Sequence, residues 1–387
     1  MKKIFLNFYA RIIIAIFLLI LPIFFIPQWF CSLGANKFYQ NDRKVILPLA
    51  ETVKAYTERE ITSKDFSTGS GLFNGEWLFG SYMMTAMGLL QTIQLFPDTK
   101  ETYLPTIEKC LDKITSEEVK YFDYHSWQED PIKSLGNGHD HAAYLGYLNL
   151  LLGYYRLVMK NPKPEWVQLN EKISEALIQN LEMSQYYILE TYPGEFYPVD
   201  NASVISSIQM YSKISGKDIT PLIQKVFVVW NDLYLDKNSG LLYQSVSNDG
   251  FITGKPRASG TALAAYFFSF AFPEFSKKLY QGLIKSCHKS YLGFGVMNEY
   301  PDELSDGVGD IDSGPIIMGA SFSATGFSIS AARNHDDYLL FLKLYRISSL
   351  IGSPIHIDKK TNYVCGGPLG NSIMLTMLTA PKLEAVK

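Results

Sequence analysis

The sequence lacks several features by which function is most readily assigned. Its four cysteines (Cys31, Cys110, Cys287 and Cys365) lie far apart, without the CxxC spacing of zinc or redox sites, so buried free thiols are the simplest interpretation. It has no block of basic residues: 35 Lys and Arg against 38 Asp and Glu give a formal net charge of -3, which argues against a nucleic-acid partner. No phosphate loop, nucleophile elbow or dinucleotide fingerprint follows a strand, so we expect no cofactor such as NAD or ATP. No third ligand with characteristic metal-site spacing can be identified, so we expect no metal site.

Apolar residues, by contrast, occur along the whole chain. Of 387 residues, 47% are hydrophobic and 14% aromatic, which is enough to bury a large core. The chain has no low-complexity linker and, after its N-terminal run, no second apolar run long enough to span a membrane. We expect one folded domain over residues 37–387, preceded by an N-terminal segment over residues 1–36.

The N-terminal segment has the composition of a membrane anchor. Lys2, Lys3 and Arg11 precede an uncharged run from Ile12 to Asn36. Basic residues on this side favour an N-in orientation, which would place the following domain outside the cytoplasm. A cleaved signal peptide is the alternative, because Ser32 and Gly34 are small residues at a cleavage-like spacing. The protein would then be secreted or periplasmic instead of anchored.

The rest of the chain carries a repeat of roughly 60 residues. Six glycine-rich, acidic or aromatic segments each precede a helix of small and apolar residues, at intervals of 55 to 64 residues. Their markers are Glu76, Asp140, Asp200, Arg257, Asp312 and Gly370. More charged amphipathic stretches lie between them, so each period pairs an inner with an outer helix. Six such hairpins closing into a ring give an all-α (α/α)6 toroid with one mouth; an open helical solenoid is the alternative.

Two segments resemble known toroid enzymes. Leu235–Tyr243, with its Asp-x-x-x-Gly-Leu turn between helices, resembles the six-hairpin glycoside hydrolases and polysaccharide lyases, and the resemblance implies short β-hairpins in the loops. Tyr144–Tyr155 is similar, more weakly, to linalool dehydratase/isomerase, another toroid enzyme. Both resemblances concern the architecture of about residues 70–365 and assign no catalytic residue.

The most unusual candidate site is the segment from Gly309 to Pro315. Asp310 and Asp312 stand one residue apart among glycines, just before a helix that Pro315 is expected to begin. These carboxylates suit a general base or acceptors for sugar hydroxyls. The alternative is that Asp312 only caps that helix.

Two further segments add candidate catalytic groups. His139 and Asp140 suit acid/base work, with His141 as a substrate contact; capping or packing is one alternative, and half of a metal site is another. Glu195 and Asp200 are candidate catalytic carboxyls, and the same segment supplies Tyr197 and Asn201 as candidate substrate contacts. Aromatic faces with carboxylates are typical of carbohydrate sites, although a loop stiffened by prolines has the same composition.

Three more residues complete the candidate site. Glu76 and Trp77 would add an acid and a stacking ring at the mouth. Arg257 would either bind a substrate carboxylate or pair with an Asp or Glu of the protein.

These features favour an exported or membrane-tethered enzyme acting on a small-molecule or oligosaccharide substrate. A hydrolase or lyase would use a pair drawn from the carboxyls named above, one protonated and one ionised. A dehydratase or isomerase is the second interpretation, marked by a narrow apolar cavity. The third is a non-catalytic glycan-binding envelope protein, in which salt bridges would lock each acid at the mouth.

Overall fold

The computed structural model describes residues 2–304 and 309–383, and helices dominate it. The helices are, in chain order, α1 (Lys2–Cys31), α2 (Ala35–Tyr39), α3 (Arg43–Glu58), α4 (Gly71–Leu95), α5 (Lys100–Ile114), α6 (Tyr121–Trp127), α7 (Tyr147–Val158), α8 (Pro164–Met183), α9 (Pro198–Ser215), α10 (Thr220–Val229), α11 (Ala258–Ser269), α12 (Pro273–Ser286), α13 (Phe322–Asn334), α14 (Tyr338–Gly352) and α15 (Gly367–Thr379). The strands are β1 (His288–Tyr291), β2 (Phe294–Met297), β3 (Ile316–Ile317), β4 (Ala320–Ser321), β5 (Pro354–Ile357) and β6 (Lys360–Tyr363).

Helix α1 is the one described helix that is long and apolar enough to cross a membrane. The qualifying stretch runs from Tyr9 to Tyr39, with a mean hydropathy of 2.6 in its most apolar window and none of that window buried. Length and composition agree with the predicted anchor or signal segment, but they do not establish membrane insertion. The domain boundary after residue 36 also stays a prediction.

Six inner helices form a closed ring, as the repeat predicts. Helices α4, α7, α9, α11, α13 and α15 each pack against the next, and α15 packs back against α4. Close approach needs small residues at the closing contact: a Cβ on Gly88 would lie 2.9 Å from Leu375 Cγ. Thr376 Oγ1 donates to the Met84 carbonyl at 2.6 Å across the same contact. The fold is therefore an (α/α)6 toroid and not an open solenoid.

The outer helices bury one stripe each, as amphipathic sequences should. Helices α5, α8, α10, α12 and α14 lie close to the predicted outer stretches, and α3 supplies the sixth by packing on α4 and α15. In α12, for example, Phe275, Leu279 and Leu283 are buried while the charged residues face outward. The first and last helical hairpins of the chain thus meet, which closes the ring.

The two ends of the ring differ in the length of the connections between helices. Connections that lead from an inner to an outer helix are short, over residues 96–99, 159–163, 216–219, 270–272 and 335–337. Those leading into an inner helix are longer, and two of them carry antiparallel hairpins: β1–β2 and β3–β4 precede α13, and β5–β6 precedes α15. Short β-hairpins in the loops were predicted. The N-termini of the inner helices therefore meet at one end, here called the mouth.

The same kind of hydrogen bond links several mouth connections to the inner helices: a side chain near the start of the helix accepts from a backbone N–H of the connection. Asn201, one turn into α9, accepts from Leu189 N at 2.7 Å and donates to the Leu189 and Tyr197 carbonyls. Asn371 does the same in α15, accepting from Tyr363 N at 2.8 Å. Thr261 accepts from Leu242 N at 2.9 Å in α11. Because these groups satisfy backbone atoms that water cannot reach, they fix the loops that carry the candidate site.

Helix α13 begins later than predicted. Pro315 does not start it, because the β3–β4 hairpin intervenes and the helix begins at Phe322. Its N-cap is Ser321, whose Oγ accepts from Ala324 N at 3.1 Å. The alternative interpretation, that Asp312 caps this helix, is therefore wrong, and the Asp312 carboxyl is left available for another role.

Candidate active site at the toroid mouth

Three carboxyl groups from separate parts of the ring lie near one another at the mouth. Glu76 lies in the second turn of α4, Asp200 in the first turn of α9, and Asp312 in the connection before α13. The Asp200 and Asp312 charges both raise the pKa of Glu76, and the Asp312 charge raises that of Asp200. We call Glu76, Asp200 and Asp312 the mouth cluster. In the part of the chain that the structure describes, none of the three forms an ion pair.

Glu76 is half-buried and has a phenol as its partner. Tyr192, in the connection before α9, donates its hydroxyl to Glu76 Oε1. Desolvation raises the pKa of Glu76 to about 7, with smaller contributions from the neighbouring carboxylates, while the Tyr192 hydrogen bond opposes the rise. Near neutral pH this carboxyl is therefore protonated for a substantial part of the time.

Asp200 is arranged in the same way. Tyr147, the first residue of α7, donates its hydroxyl to Asp200 Oδ1 at 2.8 Å. Burial raises the pKa of Asp200 to about 7, against hydrogen bonds from Tyr147 and Thr191 that favour the charged form. Because the aspartate also stands in the first turn of a helix, the helix dipole is available to stabilise its anion.

Asp312 is the most accessible member of the mouth cluster. Its side chain is exposed to solvent, yet desolvation and the adjacent Asp310 charge raise its pKa, as expected for a group on the wall of a concave site. Its backbone N–H donates to Asp310 Oδ1 at 3.0 Å. The position of Asp312 thus depends on how Asp310 is held.

Arg257 binds Asp310 in a bidentate contact. Arg257 Nη1 and Nη2 donate to the two Asp310 oxygens at 2.6 and 2.5 Å, and Arg257 Nε donates to Glu299 Oε1. Burial opposes ionisation of Asp310, but the hydrogen bonds from Arg257 hold its pKa below the usual range. Arg257 is 2% exposed, so the structure supports the predicted pairing with protein carboxylates over contact with a substrate carboxylate.

Other predicted residues lie at the rim or under it. Tyr197 donates its hydroxyl to Glu195 Oε2 at 2.8 Å, and the Glu195 charge contributes to the raised pKa of Glu76, so both belong to the mouth. Trp77 packs edge-on against Phe66, with ring centroids 6.2 Å apart. Asn201 is fully buried and its amide is engaged by backbone groups, so the structure gives it a structural role in place of the predicted substrate contact.

The histidine segment forms a second cluster with its own partners. His141 is buried between Asp123, 2.6 Å from its Nδ1, and Glu129, 3.0 Å from its Nε2. Burial lowers its pKa, but the two carboxylates reverse this effect and raise it overall. His139 is exposed and pairs with the same Glu129. His141 is thus inaccessible to a substrate in this structure, contrary to its predicted role as a substrate contact.

Asp140 is also occupied by protein groups. Glu190 N donates to its Oδ2 and Asn180 Nδ2 to its Oδ1, both at 2.8 Å. Desolvation raises its pKa to about 6, while these hydrogen bonds oppose the rise. The carboxyl ties α8 to the connection after it. A catalytic role for Asp140 stays a prediction. Over residues 2–304 and 309–383, no group of three His, Cys, Asp or Glu side chains is arranged to hold a metal.

The sequence did not identify Glu299 as a site residue, and it did not indicate that Tyr147 and Tyr192 pair with carboxyls of the mouth cluster. Glu299 is fully buried, accepts from Ser259 Oγ at 2.5 Å, and is bound by Arg257. It follows β2 with no motif that would single it out. Tyr147 and Tyr192 lie within the segments chosen from the sequence, but their pairing with Asp200 and Glu76 depends on contacts 53 and 116 residues apart.

Comparison with solved structures supports the architecture. A variant α-1,6-mannanase of family GH76 from Salegentibacter sp. HEL1_6, inactivated at two consecutive aspartates and bound to α-1,6-mannotriose, is similar with a TM-score of 0.51. The sequences are 11% identical, and the match covers 86% of this chain and 98% of that chain. A GH76 α-mannanase from Bacteroides thetaiotaomicron matches with a TM-score of 0.46 and 10% identity, over 79% and 85% of the two chains.

The likeness to the Salegentibacter enzyme shows the fold alone. No protein-family model and no curated protein sequence matches the chain. The toroid shared with the Salegentibacter enzyme confirms the predicted resemblance to six-hairpin glycosidases as a resemblance of architecture.

Proposed function

We propose that this protein is an exported or membrane-anchored glycoside hydrolase that cleaves an oligosaccharide at the toroid mouth. One observation carries the proposal: Glu76 and Asp200 both have a pKa raised to about 7, and they share the mouth with Asp312. Hydrolysis of a glycosidic bond needs one protonated carboxyl and one carboxylate on either side of the bond. A cluster whose charges repel each other favours this mixed state near neutral pH.

The structure suggests a division of roles. Glu76 and Asp200 are the candidates for the acid, because each keeps its proton to an unusually high pH. After the proton passes to the leaving oxygen, the Tyr192 or Tyr147 hydroxyl would stabilise the new carboxylate. Asp312 is the candidate base or nucleophile, because solvent reaches its side chain. Arg257 would act as a positioning residue through Asp310 and the Asp312 backbone.

The lining of the mouth supports a carbohydrate as the substrate class. Four carboxyls (Glu76, Glu195, Asp200 and Asp312) stand with tyrosines, a composition suited to sugar hydroxyls and ring faces. The Salegentibacter structure holds α-1,6-mannotriose, which makes α-mannosides the first substrates to test. The catalytic groups would nevertheless differ. The only consecutive aspartates of this chain, Asp336 and Asp337, lie at the start of outer helix α14, where Asp337 caps the helix.

The other two interpretations have less support. A dehydratase or isomerase with a narrow apolar cavity does not suit a mouth lined by four carboxyls. A glycan-binding protein without catalysis would have its acids locked in salt bridges, as Arg257 locks Asp310 and Glu299. The mouth cluster instead has tyrosine hydroxyls as partners of Glu76 and Asp200, and these leave the carboxyls free to exchange protons.

The proposal is tested by assaying the purified full-length protein on a panel of oligosaccharides that begins with α-1,6-mannotriose. Glu76→Gln, Asp200→Asn and Asp312→Asn should each lower turnover by about 10² or more, since each removes a group that transfers a proton or attacks. Asp336→Asn makes the same chemical change outside the mouth and should leave turnover near wild type. Full activity in all three mouth variants would refute the assignment.

A further inference from the structure

Loops that lead into the inner helices expose large apolar side chains. Three loop tips in the connections before α11 and α13 each present two of these side chains to solvent. They are Phe251 and Ile252, Tyr291 and Leu292 at the β1–β2 turn, and Ile317 and Met318 at the β3–β4 turn. All six are more than half exposed, and Met318 is 95% exposed. The five short connections at the opposite end expose no large apolar side chain among the described residues, although the helix ends beside them expose the single residues Leu157 and Leu339.

Such an arrangement indicates a partner that covers this end. Removing apolar side chains of this size from water is favourable, so the six together favour binding to a surface that receives them. Exposed apolar patches on soluble domains mark contacts with proteins or membranes. Paired apolar side chains on three loop tips, two of which precede α13 and one α11, suit a broad planar partner better than a groove-bound helix.

The C-terminal end of α1 lies against one of these tips. Arg346, in the middle of α14, donates from Nε to Ser32 Oγ and from Nη1 to the Gly293 carbonyl, both at 2.8 Å. Gly293 follows Leu292 at the β1–β2 turn, and a side chain there would clash with Gln28 of α1. The helix that would enter the membrane thus leaves the domain beside an apolar tip.

The course of the chain along α14 leads toward the same end. Tyr39 contacts Tyr338 and Phe341, with ring centroids 4.9 and 5.0 Å apart, near the start of α14. Further back along the chain, the Leu33 carbonyl accepts from Tyr345, and Gln28 reaches Arg346. Going from Tyr39 back toward α1 therefore follows α14 toward its C-terminal end, which opens into a mouth connection.

We infer that the mouth faces the bilayer that α1 enters, with the three apolar tips seated in its interfacial layer. This inference rests on the proposal that α1 is membrane-embedded. Two apolar contacts at each of three points would fix the tilt of the toroid, which a single helix would leave free. The substrates admitted by such a mouth are glycans carried on or lying against the membrane surface.

Depth-dependent quenching in vesicles tests the orientation. The full-length protein carrying Cys365→Ser keeps only the buried Cys31, Cys110 and Cys287. Single reporters are introduced by Met318→Cys or Leu292→Cys at the mouth, and by Leu157→Cys or Leu339→Cys as matched exposed controls at the opposite end. Each variant is labelled with a fluorescent probe and reconstituted in phosphatidylcholine vesicles containing headgroup-region spin-labelled lipid.

We expect quenching at residues 292 and 318 to exceed that at residues 157 and 339 by several-fold. Equal quenching at both ends, or stronger quenching at the controls, would overturn the inferred orientation. Flotation of the same samples separates the two proposals: protein that fails to float with the vesicles overturns membrane anchoring as well. Protein that floats and hydrolyses substrate with unquenched tips overturns the orientation alone.

Discussion

Replacing Asp200 with asparagine should stabilise the folded protein at alkaline pH while abolishing activity. The folded-state pKa of Asp200 is about 7 against a reference value of 3.8, a rise of about three units. At about 1.36 kcal/mol per unit, the shift corresponds to roughly 4 kcal/mol. A raised carboxyl pKa means that stability present below pH 3.8 is lost as pH rises to about 7, because the buried anion is costly.

The assay is the melting temperature of Asp200→Asn and wild type at pH 4 and pH 8. With an unfolding entropy of about 2.1 cal/mol/K per residue, 387 residues give about 0.8 kcal/mol/K, so 4 kcal/mol corresponds to about 5 °C. We expect the asparagine variant to gain about 5 °C relative to wild type at pH 8 and little at pH 4. An advantage that is absent, or equal at both pH values, would show that Asp200 ionises normally in the folded protein.

Asp236→Asn provides a control of opposite sign. Asp236 accepts from Ser239 N at 2.8 Å and from Ser239 Oγ at 2.5 Å, and these hydrogen bonds outweigh its burial and lower its pKa. Its contribution to stability is therefore present at neutral pH and lost in acid. This variant should melt below wild type at pH 8, and the difference should shrink on acidification.

Further predictions address neighbouring groups. Tyr147→Phe removes a donor that lowers the pKa of Asp200, so the alkaline limb of the activity profile should move to higher pH; an unchanged or lower limb would contradict the contact. Arg257→Met leaves Glu299 buried without its cation and should cost about 3–5 kcal/mol in denaturant unfolding, whereas a near-neutral effect would contradict the ion-pair network. Asn201→Ala removes a fully buried clamp of three hydrogen bonds and should cost about 1–3 kcal/mol by the same measurement, against little change if the loop is held otherwise.

The ring could be predicted from the sequence because it arises from a pattern of residues that repeats along the chain. Each inner helix needs small residues, and each outer helix needs an apolar stripe. The two sequence patterns alternate, and the pair recurs at intervals of about 60 residues. The small residues at Gly88 and Gly146 then appear where helices touch. By contrast, the β3–β4 hairpin was missed before α13, because two-residue strands leave too short a pattern to read.

The sequence could predict which segments form the site, but not which side chains within them pair with one another. Glycine-rich and acidic segments placed Glu76, Asp200 and Asp312 at the mouth, since every inner helix presents its N-terminus there. Local sequence could not show that Asp310 is neutralised by Arg257, or that His141 is enclosed by Asp123 and Glu129. These partners come from other repeats, so burial and charge pairing decide which carboxyls stay available.

The central claim is that the mouth cluster shares its protons in order to hydrolyse a glycosidic bond. The most direct test is the pH dependence of kcat/KM on the best oligosaccharide substrate, for wild type and for Asp312→Asn. We expect a bell-shaped profile for wild type whose alkaline limb lies near pH 7, where Glu76 and Asp200 lose their protons. We also expect kcat/KM to fall by about 10² in Asp312→Asn. A flat wild-type profile through pH 7, together with full activity in Asp312→Asn, would contradict the proposed hydrolysis by the mouth cluster.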